Sequence, residues 1–136
     1  MYRVLLPTDA DEGRALAQAE ATVGLPHAAE DVRAVVVHVF EDATAAEKTA
    51  VEQLPAGKQL VETLRSGGVE VATESRHGDP ERQILNAAQE HDADVIVLGG
   101  RKRSPLGALV FGSVTQAVIL DADRPVTVTG GSRVTA

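Results

Sequence analysis

The chain has 136 residues, enough for one domain with a sizeable core. Hydrophobic residues make up 43% but aromatics only 2%, so the core is aliphatic, and the absence of cysteine excludes disulfides and cysteine-ligated metal sites. Net charge is −7, from 20 acidic and 13 basic side chains, which argues against general nucleic-acid binding because that favours a basic face.

No apolar run approaches the length of a membrane span. The chain runs straight into Val4-Leu5-Leu6 without the charged and long apolar regions of a signal peptide, so a soluble cytoplasmic protein is the expectation. Ten arginines stand against three lysines, and this acidic, lysine-poor composition hints at a high-salt, halophilic interior.

Tyr2 to Leu6 reads as a short buried strand, closed by Pro7-Thr8-Asp9. Leu16, Ala19 and Val23 recur at helical spacing and predict a helix over Glu12 to Val23, with Asp9 and Asp11 suited to cap it and Gly24 and Pro26 to stop it. Val32 to Phe40 is a second strand whose Val35-Val36-Val37 centre lacks alternation, as in a strand buried on both faces. Asp42 to Ser66 is helical in pattern, broken or kinked at Pro55 and ended by Gly67-Gly68.

Val69, Val71 and Thr73 alternate with polar residues and predict a third strand nearer a sheet edge. Asp79-Pro80 starts the next helix, with Ile84, Leu85 and Ala88 on its buried face. Asp94 to Gly99 is the fourth strand, Ser113 to Leu120 the last helix, and Pro125 to Thr129 the fifth strand. The expected single domain is 1–130, with 131–136 a flexible tail.

Alternating strands and helices without an internal repeat predict an α/β fold, a mostly parallel doubly wound sheet. In flavodoxin-like order 3-2-1-4-5, strands 1 and 4 flank the reversal where such sheets bind ligands at their carboxyl ends. The loops there are Pro7-Thr8-Asp9 and the stretch from Gly99 to Ser113. The latter is a glycine-punctuated basic loop between a buried strand and a helix start, a natural anion cradle. Gly107-x4-Gly112-Ser113 resembles a P-loop, but the lysine after the second glycine is missing.

Pro7-Thr8-Asp9, Gly78-Asp79-Pro80, and Gly99 with Gly112-Ser113 resemble the universal stress protein family over nearly the whole chain. The family's loop is Gly-x2-Gly-x9-Gly-Ser/Thr, and its second glycine falls on Lys102 here. The resemblance implies a fold like the adenine nucleotide alpha hydrolases and ATP or another adenine nucleotide as ligand. It would place Asp9 near the ribose or a nucleotide-carried Mg, Val39 by its backbone at the adenine, and Gly99, Gly112, Ser113 and Val114 at the phosphates. Pro7, Thr8, Leu98, Gly100, Arg101, Lys102, Arg103 and Thr115 complete the implied site. Members without the full glycine pattern often do not bind ATP, so Lys102 leaves a dimeric signalling protein without nucleotide as the alternative. Gly100, one position away from the expected turn, offers a way to relocate it.

Plainer roles stand beside these. Asp9 serves equally as a cap or turn former, Ser113 as an N-cap, and Arg101 and Arg103 as solvated or salt-bridged charges. His27, His38, His77 and His91 lack metal-ligand spacing, and His38 reads as a packed rim histidine. There is no Gly-x-Ser-x-Gly elbow and no convincing carboxylate pair, so no catalytic residue is assigned and a slow ATPase is the most expected of it. Gly112 is expected to be the glycine least tolerant of substitution, at a tight loop-to-helix junction. Val126, Thr127, Val128 and Thr129 alternate on an uncharged edge strand, which predicts antiparallel pairing with a second copy, as the family resemblance also implies.

Overall fold

Val4, Leu5 and Leu6 are fully buried at the centre of strand β1 (Tyr2–Pro7), and each side of that strand feeds a separate layer. In the computed structural model the described residues are 1–100, 112–130 and the backbone of 102–103 and 109–110. Val4 and Leu6 pack with Ala15 and Ala19 of α1 (Glu12–Val23) and with Leu60, Val61 and Leu64 of α4 (Pro55–Ser66). Leu5 packs with Val35 and Val37 of β2 (Val32–Phe40), with Ile84, Ala87 and Ala88 of α5 (Pro80–Glu90), and with Val118 of α6 (Ser113–Asp121). Successive strand side chains point to opposite faces, so an uninterrupted apolar run serves two cores. Each such Leu or Val contributes about 1.5–3 kcal/mol by leaving water.

The remaining elements are α2 (Ala28–Asp31), α3 (Ala43–Lys48), β3 (Glu70–His77), β4 (Val95–Leu98), β5 (Lys102–Arg103), β6 (Leu109–Val110) and β7 (Val126–Val128). The sheet is parallel throughout, in the order β3-β2-β1-β4-β7. This is the expected 3-2-1-4-5 arrangement, with β7 as its fifth strand. The pair β5-β6 forms a separate antiparallel ribbon inside the glycine loop, which the sequence pattern did not indicate.

Helix α1 and strand β2 have their expected limits because local signals set them. Asp11 caps α1 by accepting the Arg14 N–H, and Gly24 closes it. The stretch from Asp42 to Ser66 is not one kinked helix. It divides into α3, a 3-10 turn over Val51–Gln53, and α4 with Pro55 in its first turn. The turn lies close against Gly57, where a Cβ would strike the Val51 carbonyl oxygen. β3 runs longer than its apolar alternation suggested because β2 pairs with it residue for residue from Arg33↔Glu70 to Phe40↔His77.

Candidate functional site

β1 stays in register with β2 to its end, at Pro7↔Val37, but meets β4 only at Val4↔Val95 and Leu5↔Ile96. Beyond those pairs β1 and β4 separate, and a cleft opens at their carboxyl ends. Its floor is secured by Gln18 from α1, almost wholly buried at 2% exposure. The Gln18 side-chain amide donates to the Pro7 carbonyl at 2.6 Å and to the Val97 carbonyl at 2.9 Å. One side chain thus joins the two diverging strands and satisfies two carbonyls that the sheet leaves behind.

The cleft encloses about 230 Å³ and is lined by Pro7, Thr8, Asp9, Gln18, Val37, His38, Val39, Pro80, Ile84, Leu98, Gly99, Val114 and Thr115. Eight of these were assigned to the site from sequence: Pro7, Thr8, Asp9, Val39, Leu98, Gly99, Val114 and Thr115. The others were not. Gln18 is a polar residue on the apolar stripe of α1, between Ala15 and Ala19, and that position was the available signal. Pro80 and Ile84 arrive with the Gly78-Asp79-Pro80 helix start, whose Asp79 caps α5 by accepting the Arg82 N–H at 3.0 Å.

His38 lies at the rim, as its sequence context suggested. The Thr8 carbonyl is only an acceptor, so the 2.8 Å contact with His38 Nδ1 puts a proton on that nitrogen. The ring meets Phe40 edge-on, with centroids 4.6 Å apart. Thr8 is itself fixed by donating its N–H to the Val37 carbonyl at 2.8 Å.

Asp9 and Asp11 both belong to the approach to α1, with different tasks. Asp11 is the cap; Asp9 accepts the Asp11 N–H at 2.8 Å and stands at the cleft's mouth. Nε of Arg14 lies 3.2 Å from the second oxygen of Asp9, and Nη2 lies 3.6 Å from Oδ2 of Asp11. Among the described residues no group of three or more His, Asp or Glu side chains is arranged to hold a metal ion.

The glycines divide differently from the sequence expectation. Gly100 carries a φ of +112°, so the left-handed turn lies there, at the position that offered an alternative to Lys102. Lys102 and Arg103 stand in β5; their side chains, and Arg101 entirely, lie outside the described residues. Gly99 is constrained by contact, since a Cβ would sit 2.8 Å from Arg14 Cβ and 3.1 Å from the Arg14 carbonyl oxygen. Gly112 is not a constrained junction. Its φ of −65° suits any residue, and among the described residues a Cβ there would meet nothing within 4 Å. Gly112 is also the N-cap of α6, so Ser113 is the first helical residue and not the cap expected of it.

A second cavity of about 330 Å³ lies at the opposite, amino end of the sheet, beside Arg3, Arg33, His91 and Asp92. Its Arg3 already faces a carboxylate, with Nη1 3.4 Å from Asp92, and the Arg3 backbone N–H donates to Asp94 at 2.7 Å. It has no glycine turn and no helix start aimed into it. The carboxyl-end cleft is therefore the better candidate despite its smaller volume.

The chain matches the model of the universal stress protein family over residues 1–130. A universal stress protein from Thermus aquaticus is 31% identical over 125 residues, covering 86% of this chain and 87% of the relative. One from Mycolicibacterium smegmatis is 40% identical over 48 residues, a segment that spans 37% of that relative's length; for a Methanocaldococcus jannaschii relative the share is 42%. Among solved structures, a universal stress protein from Archaeoglobus fulgidus superposes with a TM-score of 0.72 at 29% identity, covering 95% of this chain and 98% of the other. The A. fulgidus protein in complex with dAMP gives 0.69 at 24% identity, with the same coverage. An Arabidopsis thaliana family protein with AMP bound gives 0.72 at 17%, covering 98% of this chain and 93% of the other. The last two similarities speak to the fold.

Proposed function

The chain belongs to the universal stress protein family, and from that premise we propose that its carboxyl-end cleft binds an adenine nucleotide and that the protein is a nucleotide-responsive regulatory module. One observation carries the reading. The cleft at the β1/β4 divergence is lined both by apolar Val37, Val39, Ile84 and Leu98 and by Thr8, Asp9 and Gly99. An apolar slot beside polar groups and a glycine turn suits a base joined to a sugar phosphate. Solved structures of the same fold are described with dAMP and with AMP, which supports this ligand class.

In this reading the base lies against Val39 and Ile84, the ribose faces Asp9, and the phosphates face Gly99, Gly100 and the start of α6 at Gly112, Ser113, Val114 and Thr115. Arg101, Lys102 and Arg103 add cations on the same loop. The protein acts in the cytoplasm as a homodimer through β7. Isothermal titration with AMP, ADP and ATP at high potassium chloride tests the binding. Saturable heat at submillimolar nucleotide is expected; no heat and no thermal shift at millimolar nucleotide overturns it.

The lysine in place of the family's second loop glycine favours a second reading, a dimeric signalling protein without nucleotide. Lys102→Gly separates the two. Under the second reading the substitution creates ATP binding that the unaltered chain lacks; under the first, the unaltered chain already binds.

A further inference from the structure

We propose that Arg14 occupies the place a divalent cation would take between Asp9 and Asp11, so that this chain binds nucleotide without magnesium. The second half of that statement rests on the nucleotide reading above; the first does not.

Each of the two carboxylates has one oxygen committed to backbone. Oδ1 of Asp9 accepts the Asp11 N–H, and Oδ1 of Asp11 accepts the Arg14 N–H, each at 2.8 Å. Their remaining oxygens converge on one guanidinium, with Oδ2 of Asp9 3.2 Å from Nε and Oδ2 of Asp11 3.6 Å from Nη2. Two carboxylate oxygens turned to one point are what a hard divalent cation selects, with water completing its shell. Here a fixed cation of the chain already stands at that point and offsets their mutual repulsion.

Arg14 is not easily displaced. Its side chain is 24% exposed, and its stem lies under the glycine turn: Arg14 Cβ and Cδ are the atoms nearest to where a Cβ would be at Gly99 and at Gly100, at 2.8 and 3.2 Å. A metal ion would have to lift the guanidinium away from that packed stem and pair it elsewhere. The same placement puts positive charge between Asp9 and the turn proposed for phosphate. Magnesium would otherwise offset Asp9 against an incoming phosphate there, and the guanidinium, charged at every working pH, does so permanently.

The test uses the full chain and has two arms. The first uses Mn2+ alone, without nucleotide, and reads paramagnetic broadening of backbone amides. In the unaltered protein, residues 8–14 and 99–100 are expected to broaden no more than amides near other surface carboxylates. Arg14→Met, which keeps the packed stem and removes the charge, should broaden them selectively, and adding Asp9→Asn should abolish the effect. Arg14→Gln provides a second neutral variant should the first fail to fold. Selective broadening already present in the unaltered protein overturns the proposal.

The second arm measures AMP and ADP affinity in Mg2+ and in EDTA. The unaltered protein should give the same affinity in both, and Arg14→Met should lose about tenfold in EDTA, the size of one charge-assisted contact. In that variant Mg2+ should restore part of the loss. Affinity of the unaltered protein that collapses in EDTA overturns the proposal. Absence of nucleotide binding in every condition removes the nucleotide reading, while the Mn2+ arm still decides what Arg14 does.

Discussion

The Cβ that an alanine would carry at Gly99 lies 2.8 Å from the Cβ of Arg14, a separation that real side chains do not show. Helix α1 and the end of β4 are in contact there with no room between them. Gly99→Ala must push α1 away from the sheet, at a cost of about 1–3 kcal/mol, and this moves both Asp9 and the glycine turn. Gly112→Ser should be neutral or stabilising by a few tenths of a kcal/mol, because serine in that extended N-cap conformation adds a side-chain acceptor that glycine lacks. Urea unfolding of the two variants checks the order; equal midpoints would show that α1 yields at no cost.

Gln18→Leu removes the donor shared by the Pro7 and Val97 carbonyls. The volume is roughly kept, so the loss is chiefly polar. We expect a destabilisation of about 1–3 kcal/mol from carbonyls left without partners in a buried place. Nucleotide affinity should fall further than stability alone explains, because the two strand ends that form the cleft are no longer joined. Chemical denaturation together with titration distinguishes the two effects, and an unchanged affinity in a weakened fold would mean that Gln18 only supports the core.

The pH dependence of stability should carry the mark of Glu74. Burial on its own raises this carboxyl, but hydrogen bonds from Arg76 at 2.7 Å and His91 at 3.0 Å, with the charges they bring, hold it below the ordinary carboxylate value. The unfolded chain then binds the proton more readily than the folded one. The contribution is complete above the ordinary carboxylate value and is lost as pH falls through the lowered one. Glu74→Gln should cost about 1–2 kcal/mol at neutral pH and flatten the acid limb of Tm against pH. A variant whose acid limb keeps its original steepness would assign that limb to other carboxylates.

Among the described residues β7 pairs with β4 on one side only, and its Val126 and Val128 are half-buried while Thr127 is exposed. The preceding helix leaves Leu120 74% exposed. Val128→Lys places a charge where a second copy would pair, and should convert the proposed homodimer to monomer in light scattering at micromolar concentration and high salt. A monomer from the unaltered chain under those conditions would rule out the β7 dimer.

What could be read without coordinates was whatever neighbouring residues decide among themselves. The limits of α1 follow from Asp11, Gly24 and a helical stripe; the start of α5 follows from Asp79-Pro80; the doubly buried strands follow from unbroken valines. Thr8, Asp9 and Gly99 were legible as cleft residues because each closes a strand at the topological reversal. Contacts across the chain were not legible. Gln18 reaches Val97 over 79 positions, and nothing near Gln18 announces that partner. Arg14 was an ordinary helix residue until the fold set its stem beneath Gly99 and Gly100. The ranking of the glycines turned on the same fact: Gly112 looked constrained by its sequence neighbours, but the constraint on a Cβ is the atom it would strike, and at Gly99 that atom belongs to another element.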